Sequence, residues 1–146
     1  MKKKGFTLIE LLAVIIILAI IALIATPIIL NVINNARRGT AERSVEGFAA
    51  AVNLARVEYM FENQGRIPAN FAAVEPINHG GETVTCTGPA MPGNRPCFTT
   101  EGIFVVTSCE VAGFTCIWED GNGAVCQAGS TAPTRPTNWT GTAPTC

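Results

Sequence analysis

The residues best equipped for chemistry in this chain of 146 residues are six cysteines, all of which lie in its second half. Their spacing contains no Cys-x-x-Cys pair, whereas zinc sites usually contain close pairs and haem attachment needs Cys-x-x-Cys-His. Six cysteines in a short exported domain are typical of structural disulfides formed in an oxidising compartment. We therefore expect no metal or other cofactor, and we predict up to three disulfides among Cys86, Cys97, Cys109, Cys116, Cys126 and Cys146.

The pairing of these cysteines is only partly predictable from their positions. A hairpin centred on Gly121 would place Cys116 directly opposite Cys126. A shift of the turn by one residue removes that alignment. The other pairings stay open.

The remaining polar residues give no catalytic constellation. His79 lies in an irregular segment, with no nucleophile, base and orienting group around it, so we expect a solvated loop histidine. The run Glu119-Asp120-Gly121-Asn122 lacks the spacing and distal glutamate of a calcium-binding EF-hand, and we predict a hairpin turn there. An enzyme is the least supported class of protein, and we expect no catalytic residues.

One short motif matches the acceptor for N-glycosylation. It is Asn138-Trp139-Thr140, a pattern that is frequent by chance. Asn138 and Thr140 are therefore glycosylation candidates, in a C-terminal segment rich in Ser, Thr and Pro.

A long apolar run lies near the N-terminus of the chain. Phe6 to Leu30 is about the length that an α-helix needs to cross ~30 Å of hydrocarbon. Lys2, Lys3 and Lys4 precede it, and this predicts a cytoplasmic N-terminus with export of the remainder. A cleaved secretory signal would be shorter and would end in a small-x-small site. The formal net charge of −1 gives no case for nucleic-acid binding.

Two residues within the run make an ordinary membrane anchor unsatisfactory. Glu10 costs about 2.5–3.5 kcal/mol at the middle of a membrane and somewhat less near one end. Pro27 removes a backbone hydrogen bond to the carbonyl of Leu23 and kinks or opens the helix. A function as a simple membrane anchor explains neither residue.

The sequence from Lys3 to Glu10, KKGFTLIE, resembles the start of a type IV pilin precursor. The resemblance covers roughly residues 2–60, with Glu10 and Pro27 at the family's positions. It implies that a prepilin peptidase cuts between Gly5 and Phe6 and that the new amine of Phe6 is methylated.

Cleavage would supply the cation that Glu10 lacks. The amine created on Phe6 stays charged after methylation, and Glu10 could pair with its own amine or with that of a neighbouring chain. The residues leave both pairings open. The resemblance implies the neighbour, which would make Glu10 a register device for assembly.

Beyond Pro27 the helix is predicted to continue to about Glu62 with two apolar stripes. One stripe is enough to pack the helix on its own domain, and a second would suit neighbouring helices in a filament. The first comprises Ala41, Val45, Phe48, Val52, Ala55 and Tyr59, and the second comprises Ala50, Leu54, Val57 and Phe61.

The expected fold class is α+β and pilin-like, a long N-terminal α-helix packed on a small antiparallel β-sheet head with disulfides. Candidate strands are Gly102–Cys109, Phe114–Glu119 and Ala124–Gln127. The expected segments are a leader at 1–5, an apolar helix at 6–30, an amphipathic helix at 31–62, an irregular connection at 63–101, a β-meander at 102–127 and a tail at 128–146 tied by Cys146.

The function expected from the resemblance is that of a major pilin, a structural subunit that polymerises into a type IV pilus for adhesion, twitching motility or DNA uptake. Its partners would be copies of itself, prepilin peptidase and the assembly machinery, with no direct nucleic-acid binding. It would lie in the cytoplasmic membrane before assembly and on the cell surface afterwards. The alternatives are a type II secretion pseudopilin, a minor pilin, or a monomeric membrane-anchored binding module.

Overall fold

The structure, a computed structural model, describes residues 5–68, 71–74, 77, 79–89 and 95–146. The leader lysines and Asn78 lie outside these ranges. The chain divides into two compact units, Met1–Arg37 and Arg38–Cys146.

The first element is helix α1, which extends from Leu8 to Glu62 and includes Pro27. Because Pro27 has no N–H, the carbonyl of Leu23 loses its usual donor. At the adjacent residues, the hydroxyl of Thr26 donates a hydrogen bond of 2.6 Å to the carbonyl of Ala22. The helix therefore continues past the proline with altered hydrogen bonding on one side.

The N-terminal part of α1 has no apolar partner among the described residues. The large apolar side chains from Phe6 to Ile33 are all exposed. Among the described residues, α1 is the one helix long and apolar enough to span a membrane. This surface must be covered by hydrocarbon or by other polypeptide chains, because water exposure of so many aliphatic side chains is strongly unfavourable.

The strands form two antiparallel sheets. The four-stranded sheet has the order β1-β4-β5-β6, and a separate pair joins β2 to β3. Their bounds are β1 Thr85–Thr87, β2 Cys97–Phe98, β3 Phe104–Val105, β4 Ser108–Val111, β5 Phe114–Glu119 and β6 Gly123–Ala128.

The sheets differ from the sequence prediction in two places. The strand expected over Gly102–Cys109 is divided into β3 and β4, which belong to different sheets. The N–H of Thr107, between them, donates to the carbonyl of Thr87. In addition, β1 and β2 lie in the segment expected to be irregular, since strands of two or three residues among Gly, Pro and Thr leave no alternating pattern.

The core lies between one face of α1 and the sheet. The first predicted stripe is confirmed as its helical side, since Ala41, Val45, Phe48 and Val52 are buried and Ala55 and Tyr59 pack at its edge. Phe104 is at the centre, with ring centroids 6.4 Å from Phe48 and 5.7 Å from Trp118. The helix and the sheet thus make the predicted α+β fold.

His79 is placed differently from the prediction. Its ring meets Phe48 edge-on at 5.3 Å between centroids, and the residue is half-buried. The prediction of a solvated loop histidine is wrong, because the loop folds back over the helical side of the core.

Candidate functional site

The N-terminal site is built around the first turn of α1. Glu10 Oε2 accepts hydrogen bonds from the backbone N–H of Thr7 at 3.0 Å and from its hydroxyl at 2.9 Å. The N–H of Glu10 in turn donates to the Thr7 hydroxyl at 3.4 Å. This is a capping box, in which Thr7 is the N-cap and Glu10 satisfies the N-cap N–H.

The capping box leaves half of the carboxylate available. Both bonds from Thr7 end on Oε2, and Oε1 accepts none from the described residues. Phe6, immediately before the cap, is exposed. The site can therefore hold its own helix terminus and still offer one charged oxygen to a cation from outside.

Gly5 is open to a partner. No described atom lies within 4 Å of the position that a Cβ on Gly5 would take. The fold of the described chain therefore does not require glycine here. A requirement for glycine at this position would therefore come from a protein that binds the segment around Gly5.

Comparison with known families identifies this terminus. Residues 1–26 match the prokaryotic N-terminal methylation motif, the type IV pilin signature, and the match includes Gly5, Phe6 and Glu10. The N-terminal segment therefore carries the motif of type IV pilin-like proteins. The motif implies processing by prepilin peptidase and pilus assembly. No curated protein and no solved structure gives a significant match.

The chain combines this motif with the exposed apolar part of α1. The combination fits anchoring in the membrane before assembly and a later position in a pilus on the cell surface. The motif indicates a structural protein rather than an enzyme. Within the described residues, no group of three or more His, Cys, Asp or Glu side chains could hold a metal ion.

Three disulfides tie the unit Arg38–Cys146, which we call the head, and none of its cysteines is free. They join Cys86 to Cys109, Cys97 to Cys146, and Cys116 to Cys126. The last pair is the one expected from a hairpin turning near Gly121, and its cysteines lie directly opposite each other on β5 and β6.

Four of the cysteines form one row across the sheet. Cys86 is opposite Cys109, Cys109 is opposite Cys116, and Cys116 is opposite Cys126. Directly opposed residues on neighbouring strands share a face, and here that face is part of the core. The bridges therefore join β1 to β4 and β5 to β6 beneath the helix.

The C-terminal segment is held by Cys146 and by an ion pair between Arg135 and Glu119, which we call the clamp. Arg135 donates from Nε to Glu119 Oε1 at 2.6 Å and from Nη2 to Oε2 at 2.8 Å. The same Nη2 reaches the carbonyls of Thr140 and Gly141 at 3.3 and 3.1 Å. Such two-pronged pairing fixes direction as well as distance.

The turn between β5 and β6 is also bound to the C-terminal segment. Asn122 accepts from the N–H of Thr140 and donates to its carbonyl, both at 3.1 Å. Trp139 is buried beside the guanidinium of Arg135, 5.8 Å from the ring centroid. Glu119 therefore accepts hydrogen bonds from Arg135 and from the side-chain amide of Asn122. These contacts agree with the predicted hairpin turn.

These contacts place the glycosylation candidates. Asn138 and Thr140 are exposed, but the Thr140 hydroxyl lies 3.4 Å from Asn122 Oδ1. Their use as acceptors stays a prediction.

Sequence reasoning missed two parts of these sites. The capping box could have been found, because Thr7-x-x-Glu10 before an apolar run is its signature. The clamp could not, since Glu119 and Arg135 are 16 residues apart and meet only through the path of the tail.

The clamp makes the stability of the head depend on pH. The hydrogen bonds from Arg135 hold the pKa of the Glu119 carboxyl below its ordinary value. A carboxyl with a lowered pKa in the folded state stabilises the fold above its unfolded-state pKa, and that contribution is lost as pH falls through the folded-state value. At neutral pH we expect Arg135→Gln to lower the melting temperature by a few degrees, a difference that shrinks towards pH 3.

The measurement is the thermal loss of the tryptophan near-ultraviolet circular dichroism signal at pH 7 and pH 3. Arg66→Gln is the matched control, because Arg66 is exposed and makes no ion pair within the described part of the chain. A destabilisation by Arg135→Gln that is equal at both pH values would contradict the charged clamp.

Proposed function

We propose that this chain is the major subunit of a type IV pilus. Cleavage between Gly5 and Phe6, followed by methylation of Phe6, produces a subunit whose exposed apolar helix leaves the membrane and packs against copies of itself. The head remains on the filament surface, where it serves adhesion, twitching motility or DNA uptake.

One observation carries the proposal. In the described part of the chain, the large apolar side chains of α1 from Leu8 to Ile33 are all exposed. A membrane alone would cover these side chains but would give the Glu10 carboxylate no partner. A bundle of identical helices covers them and brings the methylated amine of one copy to Glu10 of another.

The head and the helix support the same function in different ways. Three disulfides and a clamped tail suit a domain exposed outside the cell. Pro27 weakens the helical hydrogen bonding within the apolar part, which eases local unwinding as the helix is extracted from the membrane.

Intact-mass spectrometry of sheared surface filaments tests the proposal. We expect the most abundant subunit to begin at N-methylated Phe6, to lack residues 1–5 and to show the hydrogen deficit of three disulfides. The control is the membrane fraction of a strain without prepilin peptidase, where the same protein should keep its leader.

Three results would count against a major pilin. Presence only as a trace component of filaments would indicate a minor pilin. Absence from filaments, with a processed form in the cell envelope, would indicate a secretion pseudopilin. An unprocessed protein that keeps Lys2–Lys4 would indicate a monomeric anchored module.

A further inference from the structure

Four cysteines lie next to one another across the four-stranded sheet, although only two bridges join them. The register sets them opposite one another in the strand order β1, β4, β5 and β6, as Cys86, Cys109, Cys116 and Cys126. We call these four residues the cysteine row. Its bridges are Cys86–Cys109 and Cys116–Cys126, so the two central cysteines are neighbours that are not bonded to each other.

The two central cysteines are close enough to be bonded. Opposed residues on antiparallel strands alternate between close pairs without hydrogen bonds and hydrogen-bonded pairs about 5.5 Å apart at Cα. Each bridge of the row joins Cα atoms 4.0 Å apart, as in the close type of pair. Because the N–H and C=O of one residue point to the same neighbouring strand, Cys109 and Cys116 form a hydrogen-bonded pair. A Cα separation of about 5.5 Å lies within the usual range of disulfides, about 4.4–6.8 Å.

The order of the strands also gives the geometry that thiol–disulfide exchange requires. A thiolate attacks one sulfur of a disulfide from the side opposite the sulfur that leaves. Cys109, on β4, has Cys86 on one side and Cys116 on the other. A thiol at Cys116 can therefore approach the Cys109 sulfur from the side away from Cys86.

We propose that the cysteine row is a site of thiol–disulfide exchange within the head. A thiolate at Cys116 bonds to the sulfur of Cys109, the bond between Cys109 and Cys86 breaks, and Cys86 leaves as a thiolate. One S–S bond forms and one breaks, and the proton released by the Cys116 thiol is returned to Cys86, so the step is redox-neutral. This chemistry is separate from the proposed polymerisation and does not depend on it.

Exposure differs between the two ends of this step. Cys109, Cys116 and Cys126 are 1%, 0% and 4% exposed, whereas Cys86 on the edge strand β1 is half-buried. A cysteine thiolate reacts with an outside reagent only where the reagent reaches it. Exchange therefore moves a thiol from the buried centre of the sheet to its accessible edge.

The exchange makes the oxidised head a redox-sensitive switch. A dithiol reductant attacks the accessible sulfur of Cys86 and releases the Cys109 thiolate, which attacks Cys116 and releases Cys126. The second thiol of the reductant then frees Cys86, and the reductant leaves as its cyclic disulfide. The row has taken two electrons, and its remaining bridge, Cys109–Cys116, still joins the central strands β4 and β5.

The variant Cys126→Ser tests the exchange step, because it leaves Cys116 without its partner. The folded full chain in detergent is treated with iodoacetamide and then digested after glutamate residues, which places Cys86, Cys109 and Cys116 on different peptides. We expect about tenfold more label on Cys86 than on Cys116, because only the edge thiol is accessible to the reagent. Peptides joined through Cys109 and Cys116 should appear in the same digest.

The matched control is Cys146→Ser, which leaves a thiol outside the row. That thiol is on Cys97, which is 1% exposed and lies on β2, in the separate sheet of β2 and β3. We expect both bridges of the row to stay intact in this variant. The thiol found after unfolding in acid should be on Cys97.

A second measurement uses the wild-type chain and does not depend on the folding of a variant. The chain is treated with a substoichiometric amount of dithiothreitol, quenched with acid and mapped by the same digest. Among molecules in which the row has taken two electrons, we expect a bridge between Cys109 and Cys116, with thiols on Cys86 and Cys126.

Three results would overturn the exchange site. The first is an intact Cys86–Cys109 bridge in the Cys126→Ser variant, with its thiol still on Cys116. The second is label spread to the third bridge of that variant, which would show exchange through an unfolded chain. The third is a partly reduced wild-type row that never holds the central bridge. Filament formation is measured separately, so each of these results leaves the proposed function standing.

Discussion

Glu10→Ala is expected to abolish surface filaments while the precursor is still cleaved and accumulates in the membrane. The carboxylate is the acidic group closest to the amine that processing creates on Phe6, and its Oε1 is free of contacts with described residues. In the proposed filament, each methylated amine would then enter an apolar bundle unpaired, and a buried unpaired charge is severely destabilising. We expect sheared filaments to fall below detection by immunoblotting.

The capping box complicates this experiment and also supplies its controls. Glu10→Ala removes the carboxylate half of the capping box as well as the charge, whereas the N-cap hydroxyl of Thr7 stays. Glu10→Gln keeps a residue that can close the capping box but removes the charge. Thr7→Val removes the hydroxyl of the cap but keeps the carboxylate.

We therefore expect Glu10→Gln to fail in assembly as Glu10→Ala does, and Thr7→Val to assemble. The reverse pattern, with filaments from Glu10→Gln and none from Thr7→Val, would show that Glu10 acts through the helix terminus alone. Mass spectrometry of the membrane fraction checks that all three variants are processed.

The second large effect is expected at the bridge between Cys97 and Cys146. It spans a sequence separation of 49, the longest of the three. In the chain-entropy model, a loop of that length stabilises the fold by about 4 kcal/mol, against roughly 3 kcal/mol for the separation of 10 between Cys116 and Cys126. Marginal domains rarely tolerate a loss of this size.

We expect Cys97→Ala/Cys146→Ala to lower the free energy of unfolding of the head by about 4 kcal/mol plus the cost of the buried Cys97 side chain. Cys116→Ala/Cys126→Ala should lower it by about 3 kcal/mol plus the cost of the two buried side chains. Urea unfolding of the full chain in detergent, followed by the signals of Trp118 and Trp139, measures both. A tail-bridge variant as stable as the wild type would contradict the chain-entropy account.

The helix and the processing motif could be predicted because both are local in sequence. The burial of Val45, Phe48 and Val52 follows from the period of the helix alone. The hairpin of β5 and β6 follows from a glycine-rich turn, and its register determines the pair Cys116–Cys126.

The remaining contacts depend on how distant segments meet. Cys86 is bonded to Cys109 because β1 adds to the edge of β4, and three residues of Thr and Cys carry no signal of that pairing. Cys97–Cys146 and Glu119–Arg135 depend on the return of the tail to the sheet. His79 contacts Phe48 from an irregular segment. The sequence of this segment has no periodic pattern from which the contact could be predicted.

The arrangement of the bridges limits how far the head can be stretched under tension. When the two ends of segment 86–146 are pulled apart, the tension is carried by the roughly 11 residues from Cys86 to Cys97 and then by the disulfide to Cys146. At about 3.4 Å per residue the extended path is roughly 40 Å, compared with about 200 Å for the same segment with all thiols reduced. In the proposed filament, each head can therefore lengthen only a little under tension.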